Sequence, residues 1–182
     1  SAGIELRVHP TLIPDDRLIA NVNGVMNAIL VKGDAVGPTL YYGPGAGSEP
    51  TASSVVADIV DVARTLTADP NHRVPHLAFQ ADRLSSEPVL PMSAVRTSYY
   101  LRVAAVDRPG VLWRVAQILS EAGISIEALI QKEAPEGSET ATMILLTSAT
   151  IESRMSDAIA AIEALESTRG RVTRIRMEKL DG

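Results

Sequence analysis

Two short segments hold residues whose types and spacing could do chemistry. Gly43-Pro44-Gly45-Ala46-Gly47 sets three glycines at alternate positions ahead of a helical stretch. Glycines there let a backbone approach a ligand closely, and the first free N–H groups of a helix attract anions. Asp107-Arg108-Pro109-Gly110 interrupts a strand pattern and opens a second helical stretch. Gly110 and the amides of Val111 and Leu112 could receive a small carboxylate there. Each segment also has a plain structural reading. The first would be a tight strand-to-helix turn. The second would be a turn in which Asp107 caps the helix and Pro109 starts it. The first spacing is GxGxG followed by Ser48, not GxGxxG, and no parallel strand pattern follows the helix. That excludes a complete dinucleotide-binding domain and leaves at most a loop at the rim of a cofactor site.

Other chemistry is sparse. The three lysines, Lys32, Lys132 and Lys179, lie in no apolar setting that would depress their pKa. No Ser-His-Asp or paired-carboxylate arrangement stands out. The absence of cysteine excludes disulfides, thiolate zinc sites and a cysteine nucleophile. His9, His72 and His76 sit in Pro-flanked stretches without helical ligand spacing, so no metal site is expected. Lys plus Arg total 17 against 22 acids, and a net charge of -5 speaks against a nucleic-acid partner. No apolar run reaches the roughly 18 residues of a membrane span, and no signal-peptide pattern opens the sequence. A soluble, cytoplasmic protein without a membrane partner is expected. Trp113 and the Tyr99-Tyr100 pair read as packing residues, and Arg169, Arg171, Arg174 and Arg176 as a solvated, salt-bridged edge.

The elements that must position these segments fall into three parts of the 182-residue chain: 1–66, a connector over 67–96, and 97–182. The connector carries Pro70, Pro75, Pro88 and Pro91 with no sustained apolar period. After it, 97–106 alternates as a strand. Val111, Leu112, Val115, Ala116, Ile118, Leu119 and Ala122 recur at helical spacing, closed by Gly123. Strands follow at 124–132 and 140–148 around a turn at Pro135-Glu136-Gly137-Ser138. Met155, Ala158, Ile159, Ile162 and Leu165 mark a second helix, and 172–180 a last strand. The order βαββαβ is ferredoxin-like, with both helices on one face of an antiparallel sheet. In 1–66, a hairpin of strands at 27–33 and 38–42 precedes the Gly-rich turn. A helix over 51–66 then carries the stripe Ala52, Val55, Val56, Ile59, Ala63 and Leu66. Two strands and one helix cannot close a core, so this part reads as an incomplete α/β remnant of a larger domain. The fold class is therefore α+β.

The stretch VDRPGVLWRVAQILSEAGISIEALIQKE (106–133) resembles the opening of an ACT domain. NVNGVMNAILVKGD (21–34), YYGPGAG (41–47) and PTASSVVADIVDVA (50–63) resemble the end of the catalytic region of homoserine dehydrogenase, whose bacterial members carry an ACT domain directly after it. The resemblance implies the C-terminal part of an oxidoreductase that interconverts L-homoserine and L-aspartate 4-semialdehyde with NAD or NADP, in the route to threonine, methionine and isoleucine. It implies that Gly45, Ala46 and Gly47 approach the nicotinamide end of the cofactor. The cofactor fingerprint, catalytic lysine and substrate-binding acids would lie upstream of Ser1, so no catalytic residue is expected in this chain and no cofactor would be bound by it alone. For the ACT part it implies feedback control, with L-threonine the leading effector, and at least a homodimer paired side by side. Asp107, Arg108, Gly110, Val111 and Leu112 would line one wall of an effector pocket where the strand–helix turn meets a partner copy, and Ile124, Ser125 and Ile126 the other. Ser125 stands where amino-acid-binding members often have asparagine, and a hydroxyl cannot offer both donor and acceptor as an amide does. The alternative is an ACT pair that assembles the enzyme and binds no small molecule.

Overall fold

A computed structural model describes residues 3–66, 79, 81–132, 134 and 137–180. In chain order the elements are β1 (Thr11–Leu12), β2 (Met26–Gly33), β3 (Gly37–Pro44), α1 (Ser48–Leu66), β4 (Arg96–Val106), α2 (Val111–Glu121), β5 (Ile126–Lys132), β6 (Thr140–Thr147), β7 (Thr150–Ile151), α3 (Glu152–Glu163) and β8 (Thr173–Met177). They form two compact units. One is built from the described residues of Ser1–Pro14 and Glu87–Lys179, the other from those of Asp15–Ser86 and Leu180–Gly182.

The first unit is the βαββαβ arrangement. Its sheet runs β1-β8-β4-β6-β5, with β7 pairing the start of β4. The β4, β6, β5 and β8 pairings are antiparallel. Strict alternation along β4 sends Tyr99, Leu101, Val103 and Ala105 to one face, where they meet Met143 and Leu145 of β6, Val115 and Leu119 of α2, and Met155, Ala158 and Ile162 of α3. Each such buried aliphatic side chain contributes about 1.5–3 kcal/mol. α2 ends as the sequence predicts, on a glycine in the left-handed region. Gly123 (φ +69°) donates to the Ser120 carbonyl and Ile124 donates to that of Leu119. Ile124 is thereby used as the helix stop, and β5 starts two residues later than its alternation suggests.

β1 has no counterpart in the sequence reading. It adds to β8 in parallel, Thr11 opposite Arg176 and Leu12 opposite Met177. Ile4 forms a bridge with Val89, and Arg7 meets Glu178 at 2.8 Å. Residues 3–14 therefore pack with the βαββαβ unit, whereas the division drawn from composition groups them with 15–66. A two-residue strand carries no period from which its pairing could be read.

The second unit holds the β2–β3 hairpin, in register from Met26 opposite Pro44 to Gly33 opposite Gly37, and α1. The helix begins at Ser48, three residues before the expected start at 51, with Pro50 in the first turn. It buries no residue, and Val55, Val56, Ile59 and Leu66 are exposed. The first part of the expected connector (67–78 and 80), His72, His76 and the Pro135-Glu136 step lie outside the described residues.

Candidate functional site

The β4–α2 turn is shaped by Gly110. At φ +91° it sits in the left-handed region and serves as the N-cap of α2, a conformation that costs a β-carbon-bearing residue strain. Asp107 therefore does not cap the helix. Its N–H donates to the Glu139 carbonyl, and its Oδ1 lies 3.5 Å from Gln131 Nε2 on β5. No side chain caps α2. Val111 donates to the Arg108 carbonyl at 3.3 Å, and among the described residues nothing meets the N–H groups of Leu112 and Trp113. The positive end of the helix is left open.

This open end borders a concavity of about 310 Å³, lined by Asp107, Arg108, Gly110, Val111 and Leu112 together with Gln131, Ala141 and Met143. The volume suits a molecule of amino-acid size. Its lining offers backbone amides, the Asp107 carboxylate and the Gln131 amide, which is both donor and acceptor. Gln131 is absent from the sequence reading. The β-bulge between Ile126 and Ala128 sets the side-chain parity along β5 and brings Gln131 opposite Met143, on the helix side of the sheet. A bulge is not visible as a break in alternation.

Ile124, Ser125 and Ile126 do not join this concavity. They line a second, more open one with Ala116, Ser120 and Gly123. The two lie at opposite ends of α2, whose 11 residues span about 16 Å. In one copy of the chain the two expected walls do not meet.

In the Gly-rich loop, Gly47 has φ +131° and its carbonyl accepts the Thr51 N–H at 3.1 Å, starting α1. Gly45 is fixed for a different reason: a β-carbon there would collide with the Asn27 side-chain amide. An added β-carbon at Gly43 would meet nothing within 4 Å, whereas at Gly47 it would press on the Pro50 ring at 3.3 Å.

A second polar cluster is buried on the helix side of the sheet. Glu152 opens α3 with its side chain only 7% exposed, and it accepts hydrogen bonds from Tyr99 Oη at 2.7 Å and from Arg176 Nε at 2.9 Å. Arg174 Nη1 lies 2.9 Å away. Burial pushes the Glu152 carboxyl up, but Arg176, Tyr99 and the Arg174 charge outweigh it and hold the pKa below the ordinary value. Burial, reinforced by the Glu152 carboxylate, raises the Tyr99 phenol, and the Glu152 hydrogen bond raises Arg176. Arg174 and Arg176 thus hold a structural core charge and are not merely a solvated edge. Trp113 also departs from its expected packing role: it is 60% exposed, with the Arg114 guanidinium 5.4 Å from its ring centre. Among the described residues no group of His, Asp and Glu could hold a metal ion, and no helix is long and apolar enough to cross a membrane.

The βαββαβ unit, with its uncapped strand–helix turn, is an ACT domain, matched by the ACT domain model over residues 99–167. The homoserine dehydrogenase model matches residues 1–60. The chain belongs to the homoserine dehydrogenase family, as the C-terminal portion that carries an ACT domain. It is 66% identical over 180 residues to a homoserine dehydrogenase of Pseudomonas aeruginosa, covering 99% of this chain and 42% of that protein. It is 57% identical to that of Neisseria gonorrhoeae, covering 98% and 41%. A crystal structure of a homoserine dehydrogenase from Thiobacillus denitrificans superposes with a TM-score of 0.89 at 64% identity, over 100% of this chain and 40% of that one. The chain thus spans about two fifths of the length of these relatives.

Proposed function

We propose that this chain is the regulatory portion of a cytoplasmic oxidoreductase that interconverts L-homoserine and L-aspartate 4-semialdehyde with NAD or NADP, and that its ACT domain binds a small amino acid, L-threonine first among them. The observation that carries the sensing role is the open N-terminus of α2 beside Asp107 and Gln131 in a concavity of about 310 Å³. The open amide of Leu112, with that of Val111 shared with the Arg108 carbonyl, would take the carboxylate of the amino acid and Asp107 its ammonium group. Gln131 is placed to read a side-chain hydroxyl. Arg108, on the same rim, adds positive charge near the carboxylate.

NAD(P) supplies the hydride acceptor when bound. The Ala46–Gly47 backbone fits a contributing role at its rim, because Gly47 lacks a side chain, holds a left-handed backbone and leads into the first turn of α1. Gly45 belongs to that loop, but its small size is already required by Asn27. The exposed apolar stripe of α1 supports a place in a larger catalytic domain, since a face of this kind is ordinarily covered.

A second reading, an assembly module without an effector, is favoured by one observation: in a single copy Asp107–Leu112 and Ile124–Ile126 open into separate concavities. Amide NMR distinguishes the two. Adding L-threonine should shift the Gly110, Val111 and Leu112 signals in a saturable way. Unmoved signals at millimolar threonine would favour the assembly reading.

A further inference from the structure

We propose that the alanine pair Ala105–Ala141 is the specificity-determining floor of the concavity at the β4–α2 turn, taking the methyl branch of an amino acid whose β-carbon also carries a hydroxyl. The proposal deepens the sensing reading above and rests on it for the presence of an amino acid in this concavity.

Side chains on the helix side of the sheet shorten toward the β4–α2 turn. Leu101 stands opposite Leu145, Val103 opposite Met143, and Ala105 opposite Ala141. The first two rows belong to the core packed beneath α2 and α3. The last row presents only two methyl groups. Ala141 is buried, yet unlike Met143 and Leu145 on the same strand it does not join the core cluster. Both alanines instead line the concavity of about 310 Å³, with Met143 beside them. Directly opposed residues of an antiparallel pair hold their β-carbons about 4.5–5.5 Å apart, so the two methyls form one continuous apolar patch. Protein interiors are otherwise close-packed, and a hollow above two alanines is room for a guest.

Polar groups stand around this patch. Asp107 lies in the turn, the open amide of Leu112 at the start of α2, and Gln131 one row further along the sheet, opposite Met143. A guest held by its carboxylate at α2 and by its ammonium group at Asp107 directs its β-carbon inward, between Gln131 and the alanine pair. A hydroxyl branch there meets the Gln131 amide, and a methyl branch covers Ala105 and Ala141. Serine carries the first branch alone and leaves the patch bare. In an apolar pocket one such carbon separates two ligands by about tenfold or more.

Calorimetric titration of the full chain with L-threonine and, separately, with L-serine tests this. The parent chain should bind threonine about tenfold more tightly than serine. Ala141→Val fills the floor with a residue that suits a strand. It should weaken threonine binding by about tenfold or more and serine binding less, so that the preference shrinks or inverts. Circular dichroism melting checks that the variant is folded, and Ala105→Val, with the same expected result, decides where Ala141→Val does not fold. A folded variant that keeps the parent's threonine-to-serine ratio, whether or not both affinities fall, overturns the assignment. So does a parent chain that binds the two amino acids equally. A parent chain that binds neither would instead defeat the sensing reading itself.

Discussion

Arg176 grips Glu152 with both arms of its guanidinium, Nε at 2.9 Å from Oε2 and Nη2 at 2.6 Å from Oε1, joining the last strand β8 to the first residue of α3. The pair is nearly buried, and Tyr99 completes it from β4. Three elements distant in sequence are thus fixed at one point. The carboxylate also sits at the positive end of α3, where negative charge is favoured.

Glu152→Gln should therefore destabilise the chain by about 2–3 kcal/mol, because it leaves Arg176 without its charge partner in a mostly buried setting. Tyr99→Phe should cost about 1–2 kcal/mol, the loss of one charge-assisted hydrogen bond. Arg174→Ala should cost less than 1 kcal/mol, since Arg174 is the more exposed arginine. Urea unfolding followed by circular dichroism measures all three.

The same cluster sets a pH window. The Glu152 pKa is lower folded than unfolded, so its contribution is present above the ordinary value of 4.5 and is lost as pH falls through the depressed folded value. The Tyr99 pKa is raised, so its contribution is complete below about 10 and is lost as pH rises beyond it. Melting temperature should decline on both sides of that window, and Glu152→Gln should flatten the acid side.

Gly110→Val should strain the turn by about 1–3 kcal/mol through backbone conformation alone, because no atom lies within 4 Å of the added β-carbon. Amino-acid affinity should fall by about tenfold or more while sedimentation still shows the dimer. Unchanged threonine affinity in a folded variant would remove Gly110 from the site.

Gly45→Ala should destabilise the loop ahead of α1 by collision with Asn27, and Asn27→Gly, which removes the whole side chain, should relieve the collision. Hydrogen exchange of the Gly43–Ser54 amides reads the effect. Equal protection in the single and double variants would show that Asn27 is not what demands glycine there.

The βαββαβ unit was legible because its periods are long. Tyr99, Leu101, Val103 and Ala105 alternate over most of β4, and Val115 and Leu119 mark a helix that Gly123 visibly ends. Its turn was legible as a candidate site but not in detail. The left-handed Gly110, rather than Asp107, forms the cap, and a glycine's conformation is not written in spacing. Glu152 escaped notice because a lone acid at a helix start reads as a surface residue. The signal available was the inward parity of Tyr99, whose hydroxyl needs a buried partner, together with two arginines spaced to share a face of β8. Gln131 depended on a bulge, and β1 on a pairing between the two ends of the chain.

The polypeptide itself, without an upstream partner, should show no homoserine-dependent reduction of NAD or NADP, because its candidate contribution is a rim loop only. Turnover by the purified chain alone would contradict the placement of the catalytic groups elsewhere.

The most direct test of the central claim is calorimetric titration of the chain with L-threonine, with L-serine and L-lysine as controls. Selective, saturable heat for threonine, lost in Gly110→Val, is the predicted result. Absence of heat with all three amino acids from a folded dimer would contradict the sensing role and leave the ACT domain as an assembly module.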